Sequence, residues 1–137
     1  MASLSAFLHP ELPEEEEIVI SKRFTENGEV VPFRIKPITQ EVNQALIKQY
    51  TRQIKKGSGF ERKLDTDRYQ NAIIVAGTAF PDFRAKELCD AYGVVDPLAV
   101  PPKMLLAGEY QKLADAIMTL SGIGDDAAEE EAEEAKN

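Results

Sequence analysis

The sequence predicts an α+β fold that is mainly helical, in which an N-terminal β-hairpin precedes about four helices. Apolar residues alternate with polar ones between positions 18 and 36, as in strands, and later recur every three or four positions, as in helices. A length of 137 residues with 43% hydrophobic residues suits one domain. We assign this domain to residues 18–124, between an acidic N-terminal segment (1–17) and an acidic tail (125–137).

The hairpin is predicted over residues 18–36. Ile18 and Ile20 lie two positions apart before the turn, and Val31, Phe33 and Ile35 have the same spacing after it. Between the two strands, Asn27-Gly28 supplies residues that tolerate the positive φ angles of a tight turn. The pattern therefore indicates two antiparallel strands joined by a short loop.

Four helices are expected after the hairpin, each bounded by capping residues and by glycine or proline. Their ranges are about 40–55, 66–79, 83–92 and 108–121. The second helix is apolar on several faces, which predicts that it is the central element of the core. A proline-rich connection is expected before the fourth helix. The Glu- and Ala-rich tail has little to bury, so we expect it to be disordered or a solvated helix.

No catalytic, cofactor or metal site is predicted. His9, the only histidine, has no evident partner to orient it as a base, and Cys89, the only cysteine, lies near two carboxylates that weaken it as a nucleophile. One histidine and one cysteine cannot form the usual zinc sites. The longest apolar run, residues 72–80, is too short to span a bilayer, and the acidic start is unlike a secretory signal. We therefore expect a cytoplasmic protein that binds others and is not an enzyme.

The net charge of -8 is unevenly distributed along the chain. The two flanks sum to -11 and residues 18–124 to +3. A basic cluster surrounds the end of the first predicted helix: Lys48, Arg52, Lys55, Lys56, Arg62 and Lys63. It is interpreted as a solvated face, as a dock for an acidic partner or for the chain's own tail, or as a nucleic-acid site. The acidic flanks disfavour nucleic-acid binding. The alternative function is a small regulatory protein that binds nucleic acid or another protein through the basic cluster at residues 48–63.

Several short segments recur in an order typical of one family. They are Ser21-Lys22-Arg23-Phe24, Pro32-Phe33-Arg34-Ile35, Phe80-Pro81-Asp82, the run from Glu87 to Val94, Met104-Leu105 and Gly108-Glu109-Tyr110. Together they resemble the XkdN-like tail assembly chaperones of phages and prophages of Gram-positive bacteria, over nearly the whole chain.

The resemblance implies a protein of the host cytoplasm, absent from the finished virion, that binds the tape measure protein and keeps it soluble until tail tube subunits polymerise. It also implies a longer form, made by ribosomal frameshifting, that recruits tail tube protein. Lys136-Asn137 can be encoded by the slippery sequence A-AAA-AAC. Self-association of the chain stays open.

Two amphipathic stripes are candidates for binding a helical client in a groove. The first comprises Val42, Leu46, Tyr50 and Ile54, and the second Tyr110, Leu113 and Ile117. Such stripes more often pack against their own domain, and this interpretation is favoured for each residue.

Overall fold

The computed structural model describes residues 2–123 and confirms the mainly helical α+β class. Its elements in chain order are α1 (Ser5–Leu8), β1 (Glu16–Ile18), β2 (Thr25–Glu26), β3 (Glu29–Val30), β4 (Phe33–Ile35), α2 (Gln40–Gln49), β5 (Thr51–Lys56), β6 (Gly59–Leu64), α3 (Thr66–Gly77), β7 (Thr78–Phe80), α4 (Lys86–Ala91), a 3₁₀ helix (Pro97–Ala99), α5 (Val100–Met104) and α6 (Ala107–Leu120). The predicted acidic tail, 125–137, lies outside the described residues.

The predicted N-terminal hairpin is confirmed, and it forms part of a three-stranded antiparallel sheet. β1 pairs with β4, with Ile18 opposite Phe33, and β4 pairs with β7 on its other side. Between β1 and β4 the chain forms the smaller ribbon β2–β3, whose turn holds Asn27 at φ 53° and Gly28 at φ 81°. Asn and Gly adopt such angles at the lowest cost. The Asn-Gly signal therefore located the turn correctly.

The core is built around α3, as predicted. Ile73 and Ile74 of α3 and Ile117 of α6 are almost completely buried and belong to one apolar core cluster. Each such aliphatic side chain contributes about 1.5–3 kcal/mol through its removal from water. Gly77 of α3 lies directly against Ile117 of α6, because a Cβ atom at position 77 would be 2.4 Å from Cγ2 of Ile117. The missing side chain lets α3 and α6 approach closely.

The prediction of one helix over 40–55 is wrong beyond Gln49. The chain enters β5 at Thr51, and β5 pairs with β6 through six residue pairs. Gly57-Ser58 closes this hairpin, with Gly57 at φ 61°, and glycine at the first position of a two-residue loop is typical of tight hairpins. The β-branched residues Thr51 and Ile54 also favour a strand. The fourfold apolar spacing that reached Ile54 was a misleading helix signal.

Two further helix boundaries and one connection differ from the prediction. The helix expected over 66–79 ends at Gly77, because the next residues form β7. The helix expected over 83–92 covers only Lys86–Ala91, because Asp82 first closes a turn in which its carbonyl accepts a hydrogen bond from the Ala85 N–H (3.0 Å). The proline-rich connection folds into the 3₁₀ helix and α5, where prolines occupy first-turn positions that need no N–H donor. The last helix agrees with 108–121 to within one residue at each end.

Candidate partner-binding surfaces

The fold divides the first predicted stripe. Leu46 packs against the core, and Tyr50 is half-buried with the Arg68 guanidinium 5.6 Å from the centre of its ring. Val42 of α2 is 40% exposed. Ile54 is 39% exposed but lies on β5, so its predicted place on the helical stripe is wrong. Only Val42 and Ile54 offer substantial apolar surface, and they lie on different elements.

The second predicted stripe, on α6, faces the interior. Leu113 and Ile117 are completely buried, so neither presents a surface to a partner in this structure. Tyr110 is half-buried, and its hydroxyl donates a hydrogen bond to Oδ1 of Asn71 on α3 (2.5 Å). Burial raises the pKa of Tyr110, and the charge of Asp67 raises it further. The three residues join α6 to the rest of the domain.

An apolar groove of about 420 Å³ is lined by the β2–β3 region, the sheet, α4 and α5. Most of its lining is apolar, including Phe24, Val31, Phe33, Phe80, Tyr92 and Met104. The rings of Phe24 and Phe33 meet edge to face with their centres 5.3 Å apart. The Phe80 side chain is 49% exposed, although large apolar side chains are usually buried. The groove therefore combines the packed rings of Phe24 and Phe33 with the solvent-accessible ring of Phe80.

A charged pair fixes one side of the groove. Arg23 donates hydrogen bonds to both carboxylate oxygens of Glu109, from Nε (2.9 Å) and Nη2 (2.5 Å), and Nη2 also donates to the Met104 carbonyl (3.1 Å). The hydrogen bond from Arg23 is the main reason that the pKa of Glu109 falls to about 2, and a hydrogen bond from Ser21 contributes next. The guanidinium also lies 4.8 Å from the centre of the Phe24 ring. Arg23 thus links the groove to the first turn of α6.

The predicted basic cluster lies largely on the hairpin β5–β6, which we call the basic ribbon (residues 51–64). No residue of this ribbon is fully buried. Arg52 and Lys63 are directly opposite each other on its two strands, although like charges in such a position repel. Within residues 2–123, the only ion pairs of its basic side chains are Arg52 with Asp65 (3.7 Å) and Lys56 with Glu61 (3.5 Å). Phe60 is 73% exposed on the same ribbon.

Exposed apolar side chains also cluster near the N-terminus. Leu4, Phe7 and Leu8, in and beside α1, are more than half exposed. The α1 helix buries none of its residues. This segment adds apolar surface that the sequence reasoning did not single out.

Cys89 and His9 were the two residues weighed as candidates for catalysis. Cys89 is buried, with its thiol 3.5 Å from the Phe83 carbonyl oxygen. His9 lies at the exposed end of α1. Within the described part of the chain, no three or more His, Cys, Asp or Glu side chains are grouped to hold a metal ion. None of the helices between residues 2 and 123 is both long and apolar enough to cross a membrane.

Comparison with known proteins identifies the family. Residues 4–136 match the family model described as phage XkdN-like tail assembly chaperone protein. The chain belongs to this family. It is 40% identical to the XkdN protein of the phage-like element PBSX of Bacillus subtilis (strain 168), over 98% of this chain and 93% of that protein. It is 41% identical to the uncharacterized protein YqbN of the same strain, over 90% of this chain and 85% of that protein.

A crystal structure of the protein YqbN has the same fold. It superposes with a TM-score of 0.78 at 34% sequence identity, covering 90% of this chain and 99% of that one. The chain is therefore a phage tail assembly chaperone by family, with a fold already found in a relative.

The segments that carried the family resemblance converge on the apolar groove. Arg23-Phe24, Pro32-Phe33, Phe80-Pro81, the run from Glu87 to Val94 and Met104-Leu105 each supply lining residues. Sequence reasoning identified these segments but took its candidates for the client surface from the two helical stripes. The missed signal was that the family's recognisable residues lie outside both stripes, with the exception of Tyr110.

Proposed function

We propose that this member of the tail assembly chaperone family binds the tape measure protein in its apolar groove and keeps it soluble until tail tube subunits polymerise. The observation that carries this proposal is the convergence of the family-typical segments on the groove. A long helical client with apolar side chains would aggregate alone, and an amphipathic helix laid in a hydrophobic groove is a common way to cover such side chains.

The shape of the groove suits a reversible complex. Its volume of about 420 Å³ falls within the ~300–1,000 Å³ typical of binding pockets, so it takes a few side chains of the client at a time. Each apolar side chain buried gives about 1.5–3 kcal/mol, from which the cost of association is subtracted. Such binding covers the client and still releases it when tail tube subunits compete for the same surface.

The polar side of the groove would set the orientation of the client. Arg23 is held by Glu109 and by the Met104 carbonyl, so its guanidinium is positioned before any client arrives. Thr25 and Glu26 also line the groove and add polar groups. Polar groups at the rim of an interface fix its register more than they add affinity.

The remaining parts of the proposal rest on what the family resemblance implies. The protein acts by binding, without catalysis and without a cofactor, in the cytoplasm of the bacterial host, and it is absent from the mature virion. A longer frameshifted form recruits tail tube protein, which the possible codons of Lys136-Asn137 permit. Sequencing codons 135–137, and mass spectrometry of infected or induced cells for an extended product, test the frameshift directly.

The experiment for the groove is co-expression of the tape measure protein with this chain or with a variant. Phe80→Asp places a charge on the accessible side of the groove, and Val95→Asp is the matched control, because Val95 is 99% exposed and does not line the groove. We expect the tape measure protein to be soluble with the parent and with Val95→Asp, and to precipitate with Phe80→Asp. Circular dichroism of each purified variant verifies that it is folded.

A second variant separates the groove from the α2 surface. Val42→Asp changes the most exposed residue of the first predicted stripe. If Val42→Asp abolishes client solubility and Phe80→Asp does not, the client binds α2 and the groove proposal is wrong. If no tape measure protein is solubilised even by the parent, the chaperone activity itself is wrong as stated.

A further inference from the structure

The basic ribbon has more positive charge than the described part of the chain neutralises. Residues 51–64 contain five basic side chains and a single acidic one, Glu61. Lys55, Arg62 and Lys63 have no ion pair within residues 2–123, and the opposed pair Arg52 and Lys63 adds repulsion across the strands. An isolated two-stranded ribbon is also only marginally stable in water. The unneutralised charge favours an anionic occupant along the ribbon, and a bound segment would also stabilise the two strands.

The chain itself contains a segment of complementary charge. Residues 124–137 include seven acidic side chains and one lysine. No other stretch of the sequence has so many carboxylates, and no other hairpin between residues 2 and 123 has so many basic side chains. A segment tethered to the same molecule has a high effective concentration at any site that it can reach.

The reach of this segment is sufficient. The end of α6 is held at the start of α2, because the Ile38 N–H donates a hydrogen bond to the Ser121 hydroxyl (2.8 Å). From there α2 spans about 15 Å along its ten residues, and the six-residue strands of the ribbon span about 20 Å. Fourteen residues can extend over roughly 46 Å, which exceeds the roughly 35 Å that α2 and one strand of the ribbon span when laid end to end.

We propose that the acidic segment 124–137 binds along the basic ribbon of its own molecule and shields it from nucleic acid. The interaction is electrostatic and lies at the surface, so it weakens as salt shortens the range of charge interactions from about 8 Å at physiological ionic strength to about 3 Å at 1 M. The bound segment neutralises the ribbon, which leaves the groove as the surface available to other molecules. This inference is independent of which client the groove binds.

Zero-length carbodiimide coupling of the full chain tests the contact. The reagent joins a carboxylate to an amine only where the two are in contact, and peptide mapping identifies the pairs. We expect Glu129 to Glu134 to couple to Lys55, Lys56 and Lys63 within one chain, and the products to disappear at about 1 M NaCl. Lysines on the body of the domain, such as Lys36 and Lys103, are internal controls. Equal coupling to those controls, or none to the ribbon, would overturn the proposal.

Mixing light and isotopically heavy chains separates the molecule's own segment from that of a second copy. Products of a single isotopic composition support the proposal. Products that contain one light and one heavy peptide mean that the segment binds a second copy, and the proposal as stated is then wrong.

The shielding is tested with a fluorescent single-stranded oligonucleotide of about 20 nucleotides. The tail variant replaces glutamate by glutamine at five positions: Glu129, Glu130, Glu131, Glu133 and Glu134. We expect it to bind the oligonucleotide at least about tenfold more tightly than the parent in low salt, because the ribbon is then free to displace counterions from phosphates. Adding Lys55→Glu and Lys63→Glu to the tail variant should remove this gain. Equal affinity of the parent and the tail variant would refute the shielding.

Discussion

The substitution Gly77→Ala tests how tightly α3 packs against α6. A Cβ atom at Gly77 lies 2.4 Å from Cγ2, 3.1 Å from Cδ1 and 3.2 Å from Cγ1 of Ile117. Carbon atoms in a well-packed core are separated by about 3.5–4.0 Å. Ile117 is completely buried, so its side chain has no solvent to move into. The helices must therefore separate by about 1 Å, or Ile117 must leave its preferred conformation.

Such overpacking costs about 1–3 kcal/mol. Alanine in place of glycine near the end of a helix recovers up to about 1 kcal/mol of helix propensity. We therefore expect the free energy of unfolding to fall by about 1–2 kcal/mol, measured by urea denaturation followed by circular dichroism. Gly108→Ala is the matched control, because Gly108 lies in α6 and a Cβ atom there would have nothing within 4 Å. That variant should be as stable as the parent or slightly more stable.

A double-mutant cycle identifies the atoms responsible. Ile117→Ala alone should cost about 2–5 kcal/mol, as expected for a buried aliphatic side chain. In the Gly77→Ala protein the same truncation should cost at least about 1 kcal/mol less, because it removes the atoms that the new methyl group contacts. A Gly77→Ala protein as stable as the parent, or strictly additive effects, would refute this close packing of α3 on α6.

Three further predictions concern stability. The pKa of Glu109 is about 2 in the folded state and about 4.5 without its partners, so the carboxylate stabilises the fold above pH 4.5 and this contribution is lost as the pH falls toward 2. Urea denaturation at pH 7 and pH 3 should show a smaller acid-side loss in Glu109→Gln than in the parent, and equal losses would contradict the assignment. Asp65→Ala should lower stability by about 1 kcal/mol, because Asp65 caps α3 by accepting a hydrogen bond from the Arg68 N–H, whereas Asp65→Asn should retain most of it. Gly28→Ala should cost about 1 kcal/mol in thermal or urea unfolding, because φ is 81° there, and an unchanged midpoint would show that the turn rearranges.

The fold class and the central helix could be predicted because local signals agreed with tertiary packing. Asn27-Gly28 marked a turn that the sheet uses, and the apolar run from Ala72 to Val75 marked the element that the core surrounds. The start of α2 was predictable for the same reason, since Thr39 caps it by accepting a hydrogen bond from the Val42 N–H. In each case short-range chemistry was sufficient to identify the element.

The β5–β6 hairpin that holds most of the predicted basic cluster, and the groove, were not predicted, for different reasons. Residues 42 to 54 have a fourfold apolar spacing, and the signals for a strand, the Gly57-Ser58 loop and the β-branched Thr51 and Ile54, are weaker than this periodicity. The groove assembles from residues as distant as Phe24 and Met104, so no window of sequence contains it. Leu113 and Ile117 look like a binding stripe in sequence, because a core face and a partner-binding face have the same periodicity.

The assembly of the groove from distant segments has a consequence for synthesis on the ribosome. Its lining requires Arg23, Phe80 and Met104 to be in place together, and the hydrogen bonds that hold Arg23 form only when Met104 and Glu109 have been made. Contacts of such long sequence separation form late, because loop closure must precede them. A nascent or partly folded chain therefore lacks this apolar surface in its final form. Under the proposed function, the groove can therefore bind a client only once almost the entire domain has been translated and folded.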